Sequence, residues 1–248
     1  MAPPLAASGF LNALRAEGLT VVEVDSWRTH NRNEVGRWGP VHGVLVHHTV
    51  TSGTAKTVQI CKTGYTGLPG PLCHGVIGKD GVVYLVGYGR TNHAGGGDPL
   101  VLSQVIAESY GTAPTKPTKG NADGTDGNRH FYGFECENLG NGKDPWPSKQ
   151  VEAIVRASAA VCRAHGWGHR SVIGHLEWSD DKSDPRGFTM ASIRDRVAER
   201  LQHPANWNPT NPTPPPVSTI ETRVAALEKL VTAQGKRIEA LEKEGAKK

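Results

Sequence analysis

Apolar positions change their rhythm several times along this chain, and each change marks an element. Residues 41 to 49, VHGVLVHHT, are apolar on both faces and rich in β-branched side chains, the pattern of a strand covered on both sides. CHGVIGKDGVVYLVG, 73 to 87, gives two β runs around Gly78, Lys79, Asp80 and Gly81, an Asp-Gly hairpin signal. HFYGFECENL, 130 to 139, reads as another strand, and SVIG just before His175 as a short one. Helical spacing runs from 148 to 166 through Val151, Ile154, Val155, Ser158 and Cys162, with Ser148 at the N-cap and Gly166 at C′. Ile193, Val197 and Leu201 stripe a second helix over 189 to 203, and a weaker one covers 5 to 17. Strands and helices interleave, so the predicted class is α/β around a central sheet.

The pattern changes again near the end. Residues 204 to 216, PANWNPTNPTPPP, hold six prolines, the composition of a stiff extended linker. Beyond them a heptad repeat sets Val217, Val224, Val231 and Ile238 at a, with Ile220, Leu227 and Leu241 at d. Arg223 and Arg237 at g face Glu228 and Glu242 at e of a neighbour, which favours parallel pairing and a homo-oligomer, dimer or trimer. The chain thus divides into a domain over 1–203, a linker over 204–216 and a coiled-coil oligomerisation segment over 217–248. A glycine-rich stretch from 95 to 129 has little periodicity beyond a short helix at 103 to 110, and reads as a cleft wall or lid.

Composition sharpens this division. Of the 248 residues 30 are glycine, well above the usual frequency of about 7%, and all but two precede residue 217. The excess therefore belongs to the loops of the first domain. The formal charge is +4, and no basic cluster is interleaved with aromatics, so nucleic acid is not an expected partner. No run of about 18 apolar residues occurs, so no membrane span is expected. The N-terminus lacks a basic leader region, which points to a protein kept in a cytoplasm. The four cysteines show no CxxC spacing, and only Cys61 and Cys73 are near enough in sequence for a local bridge.

Chemistry concentrates in two places. His47 and His48 end the apolar strand, and because strand side chains alternate, one faces each side of the sheet. His175 follows SVIG and precedes a loop with Glu177, Asp180, Asp181, Lys182 and Asp184. Hydrolytic zinc sites use three ligands from His and carboxylate and keep a fourth position open. A strand-end histidine, His175 and one loop carboxylate satisfy that count, although spacing alone neither selects the carboxylate nor separates a ligand from a solvated acidic loop.

VLVHHT (44 to 49), CHGVI with DGVVYLVG (73 to 87), NHAGGG (92 to 97), YGFECEN (132 to 138) and GHLEW with DKSDPRGF (174 to 188) occur together and in order. In this conjunction the chain resembles the zinc-dependent N-acetylmuramoyl-L-alanine amidases, the family of phage endolysins, bacterial cell-wall amidases and peptidoglycan recognition proteins, over roughly residues 20 to 203. The resemblance implies a mixed central β-sheet flanked by helices, with a groove floored by Zn2+ on His47, His175 and Asp184. It implies a peptidoglycan hydrolase that cuts the amide between N-acetylmuramic acid and L-alanine with zinc-activated water. In that scheme Glu135 is the general base, with Glu137 on the same face as its rival, and Lys182 donates to the oxyanion. His74 and His93 match histidines near the groove that contact substrate or support the site rather than bind zinc, and are the expected substrate-binding residues. Some members carry a tyrosine where this chain has Cys73, which shifts more of the proton transfer to Glu135. The absent leader fits an endolysin that waits in a host cytoplasm and meets bacterial peptidoglycan after release. The alternative is a non-catalytic peptidoglycan-binding protein, against which all three ligand positions hold competent residues.

Overall fold

Strand order in this fold departs from chain order. Along the chain the main elements are α1 (Ala7–Ala16), β1 (Val21–Glu23), β2 (Gly43–His48), α2 (Thr54–Thr63), β3 (Gly75–Ile77), β4 (Val83–Leu85), α3 (Pro99–Ala107), β5 (Phe131–Cys136), α4 (Ser148–His165), β6 (Val172–Gly174), α5 (His175–Trp178) and α6 (Met190–Leu201). This computed structural model describes residues 2–208; the coiled coil expected over 217–248 and most of the linker lie outside the described residues. The six strands pair in the order β1-β4-β3-β5-β2-β6. Only the β3–β4 hairpin is antiparallel, so the sheet is mixed. Its turn contains Gly81 at φ 82°, where an added Cβ would meet the Lys149 carbonyl oxygen at 2.7 Å.

The alternation of β2, β5 and β6 divides the core between two faces. Val44, Val46, Tyr132, Phe134 and Val172 pack with α1, α4 and α6 around Phe10, Ile154, Val161 and Val197. Leu45, Phe131 and Ile173 turn to the other face, against Val101 and Val105 of α3 and Trp178 of α5. His47 and Glu135 continue this second row, and they lie opposite each other in the β2–β5 register.

Helix ends follow local chemistry, with two departures from the sequence reading. The carbonyl of Pro147, not Ser148, opens α4, accepting the amides of Gln150 and Val151 at 2.9 and 3.1 Å. Gly166 closes the helix at φ 69°, as its sequence position predicts. α3 starts at Pro99, earlier than expected, because Asp98 Oδ1 accepts the Leu100 amide at 2.8 Å and Pro99 suits the first turn. Glu17, fully buried at the end of α1, receives Arg163 Nε of α4 at 2.7 Å and Arg200 Nε of α6 at 2.5 Å, tying the three helices together. Cys61 and Cys73 are free, buried thiols. Among the described residues no helix is long and apolar enough to cross a membrane.

Candidate functional site

The carboxyl ends of the adjacent parallel strands β5, β2 and β6 meet at one edge of the sheet, where open α/β sheets bind ligands. His47 projects from the end of β2, and His175 begins α5 directly after β6. The loop after α5 returns Asp184 to them. His47 Nδ1 lies 3.0 Å from His175 Nδ1 and 3.1 Å from Asp184 Oδ2, and His175 Nδ1 lies 3.2 Å from the same oxygen.

The outer ring nitrogens fix which inner atoms carry lone pairs. His175 Nε2 lies 3.1 Å from the Ala94 carbonyl oxygen, an acceptor only, so in the neutral ring that binds a metal Nε2 holds the hydrogen and Nδ1 is bare. His93 Nε2 faces the Phe131 carbonyl at 3.3 Å, which leaves His93 Nδ1 to accept from His47 Nε2 at 3.1 Å. His47 Nδ1 is therefore bare as well. Burial and the neighbouring His175 push the His47 imidazole down to about 4, so its neutral form is the ordinary one. Burial pushes Asp184 up, but the adjacent His175 and His47 rings outweigh it and hold the carboxyl well below the usual carboxylate range.

Two bare imidazole nitrogens and a carboxylate oxygen at such separations repel one another unless a cation lies among them. Zinc bonds to N and O of about 2.0–2.1 Å, set tetrahedrally, put neighbouring ligand atoms about 3.3 Å apart, close to the observed spacing. The donor set and its dimensions fit zinc, and among the described residues this is the one group of histidine, cysteine and carboxylate ligands gathered in this way.

Gly133 makes room for the outer support: a Cβ there would lie 2.4 Å from His93 Nδ1. His93 is buried with both ring nitrogens engaged, so it holds His47 and offers no free nitrogen to a substrate. His74 departs further from the expected substrate contact. It is wholly buried, accepts the Gly133 amide at Nδ1 (2.9 Å), donates from Nε2 to the Gly89 carbonyl (2.9 Å), and is absent from the cavity lining. His74 braces the strand edge from within, whereas His93 supports His47 and also borders the cavity.

Glu135 Oε1 stands 4.0 Å from His47 Nδ1, while Oε2 is buried and unpartnered. Burial, with Cys61 and Asp184 nearby, pushes this carboxyl well above its ordinary value. Its rival Glu137 is committed elsewhere, accepting the Gly53 amide at 2.8 Å and the Thr54 hydroxyl at 2.5 Å at the start of α2. Lys182, 31% exposed, lines the same cavity with Nζ 3.9 Å from Asp181 Oδ1. His48 lies on the opposite sheet face, where Nδ1 accepts the Arg186 amide at 3.1 Å and fastens the loop that carries Asp184. Glu177 is drawn off by two hydrogen bonds from Arg194, at 2.7 and 2.8 Å, and by the Gly174 amide.

His47, Glu135, His175, Lys182 and Asp184 floor a cavity of about 590 Å³. Gly95 and Asn121 of the glycine-rich stretch form part of its wall, held by the Asn121 amide donating to Asp181 Oδ2 at 3.1 Å. Aliphatic lining comes from Val50, Leu68 and Leu72. Sequence motifs carry no sign that Gly133 cradles His93, or that Val50 sits in left-handed backbone, because each depends on contacts or torsions outside the motif.

A family model described as N-acetylmuramoyl-L-alanine amidase matches residues 37–187. Comparison with curated protein sequences found no match. Among solved structures, an endolysin N-acetylmuramoyl-L-alanine amidase, LysCS of Clostridium intestinale, is similar at 17% identity and TM-score 0.45, over 72% of this chain and 95% of that one. The hydrolase AmiA of Staphylococcus aureus is similar at 15% identity and TM-score 0.47, over 81% of this chain and 93% of the other.

Proposed function

The chain belongs to the N-acetylmuramoyl-L-alanine amidase family, peptidoglycan amidases acting on the amide between N-acetylmuramic acid and L-alanine, and from that premise we propose that it works with zinc held by His47, His175 and Asp184. One observation carries the metal assignment: three lone-pair atoms, two of them bare imidazole nitrogens, face one another at 3.0 to 3.2 Å. When bound, zinc supplies a Lewis acid that polarises a carbonyl and lowers the pKa of water.

The remaining steps fall to the chain's own side chains. Glu135 takes a proton from the attacking water as its oxygen bonds to the lactyl carbonyl carbon, and returns that proton to the alanine nitrogen as the C–N bond breaks. Its buried, unpartnered Oε2 suits a group that must hold a proton between the two transfers. Lys182 donates to the oxygen that gains negative charge. Burial pushes the neighbouring Cys73 thiol up, so it stays protonated and leaves proton transfer to Glu135. Peptidoglycan is the polymer partner. The heptads of 217–248 support a further proposal, that parallel association gathers two or three catalytic units for avid contact with a repetitive polymer.

Digestion of purified cell walls, followed by mass spectrometry and end-group analysis, tests the reaction, alongside metal analysis of the purified protein. The expected result is about one zinc per chain, with intact glycan and new N-terminal L-alanine. Cuts elsewhere in the peptide, or full activity after exhaustive chelation, would overturn the proposal. Removal of 217–248 is expected to spare hydrolysis of a small soluble substrate and to slow that of whole walls; equal loss on both rejects the avidity role.

A further inference from the structure

Val50 is out of keeping with its surroundings. A β-branched residue at φ 53° occupies left-handed backbone that such side chains seldom enter. It is also 66% exposed, in a connection otherwise made of Thr49, Thr51, Ser52 and Gly53. The chain is pinned on both sides of it. The Thr49 amide donates to the Cys136 carbonyl at 3.2 Å, and Thr49 Oγ1 accepts the Asn138 amide at 3.3 Å. Thr51 Oγ1 lies 2.8 Å from Thr49 Oγ1 and 2.6 Å from Thr57 Oγ1. The conformation is thus over-determined by its neighbours, as strained residues at ligand sites are. A left-handed position suits glycine best, so what valine adds here is its side chain.

That side chain borders the cavity together with Leu68, 44% exposed, and the more buried Leu72. These are the aliphatic side chains of a lining that otherwise consists of imidazole, amide, hydroxyl, carboxylate and ammonium groups and one glycine. Val50 follows His47 by three residues, which limits the separation of their Cα atoms to about 11 Å. An aliphatic wall this near the reacting centre can sense the substituents that flank the scissile amide.

We propose that Val50, backed by Leu68 and Leu72, is a specificity-determining wall that receives the methyl group of the L-alanine whose nitrogen leaves. The proposal rests on reading the cavity as the site of amide hydrolysis. The methyl is two bonds from the leaving nitrogen, and one methyl in an apolar pocket gives discrimination on the order of tenfold.

Soluble N-acetylmuramoyl dipeptides that begin with L-alanine or with glycine test this, with kcat/KM read from amine release and Tm read alongside, for the wild type, Val50→Gly and Val50→Ile. The wild type is expected to favour the alanine substrate by about tenfold. Val50→Gly, free to adopt the left-handed backbone, is expected to keep its Tm, lose most of its rate on the alanine substrate, change little on the glycine one, and so bring the preference close to one. Val50→Ile is expected to keep the preference. A preference unchanged by Val50→Gly, or an equal fall on both substrates, overturns the role of Val50 while the hydrolytic reading stands. A zinc-loaded wild type that releases amine from neither substrate, nor L-alanine ends from walls, overturns that reading and this proposal together.

Discussion

His47 Nε2 meets His93 Nδ1 at 3.1 Å, and this contact aims the other nitrogen of His47 at His175 and Asp184. Ligand orientation is therefore set by a residue that touches neither of the other ligands' inner atoms. Replacing His93 with Phe keeps a planar ring over Gly133 but leaves His47 Nε2 without its acceptor. We expect zinc affinity to fall by roughly 10- to 100-fold, as for other supporting partners of metal-bound histidines. Competition with a chromogenic chelator measures it, and an unchanged affinity rejects the role.

Direct ligand changes should act more severely. His47→Ala or Asp184→Ala removes one of three donors, and each protein should purify with little zinc and lose hydrolysis of cell walls. Asp184→Ala also takes away a half-buried carboxylate that both imidazoles contact. Full zinc and full turnover in both variants would displace the site.

Glu135→Gln separates binding from chemistry. The amide cannot accept the water proton, so turnover should fall by about 10²- to 10⁴-fold, while zinc content stays near that of the wild type. Lys182→Met should lower kcat by about 10²- to 10³-fold, the range for losing one oxyanion donor. Loss of zinc in Glu135→Gln would identify that carboxylate as a ligand instead.

Acid should destabilise this fold before it protonates most carboxylates. Burial holds His74 neutral down to about 4 in the folded chain, against about 6.5 in an unfolded one. Between those values the unfolded chain binds more protons, so stability is full above about pH 6.5 and declines as pH falls toward 4. The drop is worth about 3 kcal/mol for this residue alone. Burial and the neighbouring His130 also lower His42 to about 4, which adds in the same direction. Thermal melts across this range should give falling Tm, and His74→Gln should unfold with about one fewer proton taken up. A flat profile rejects the argument.

The Glu17 cluster offers a test far from the cavity. Glu17 and Arg200 are almost wholly buried, and Arg163 and Arg156 bond to the same residue, at its Oε1 and its carbonyl. Glu17→Ala removes the nearest carboxylate of Arg200 and leaves it Glu152 Oε1 at 3.5 Å, and should cost about 3 kcal/mol, the low end for breaking a buried pair. Chemical denaturation measures the loss, and zinc affinity of the surviving folded fraction should not change.

The elements legible from sequence were those with a long or doubled signal. β2 is apolar on both faces up to His47 and β5 from Phe131 to Phe134, α4 repeats its buried face over 18 residues, and the β3–β4 turn carries Asp-Gly. α2 escaped notice because only Thr57 and Cys61 of its ten residues are buried, so almost no stripe exists to read. β1 is three residues long with two exposed, too short for alternation to register. At the site, His47, His175 and Asp184 were reachable through motif order, and the structure brings them together. The core position of His74 was not, because a histidine that hydrogen-bonds a backbone carbonyl in a core has the same letters around it as one that, like His93, borders a cavity. Glu135 and Glu137, two residues apart on one face, were separable only by what reaches each: a cavity for the first and the start of α2 for the second.

β2 and β6 pair directly, although His47 and His175 are 128 residues apart in the chain. About half of the chain is therefore made between the first ligand and the second, which directly follows the last strand of the sheet in sequence. Contacts this distant in sequence form late in folding. A chain too short to include β6 and the loop that follows it therefore holds His47 without His175 or Asp184.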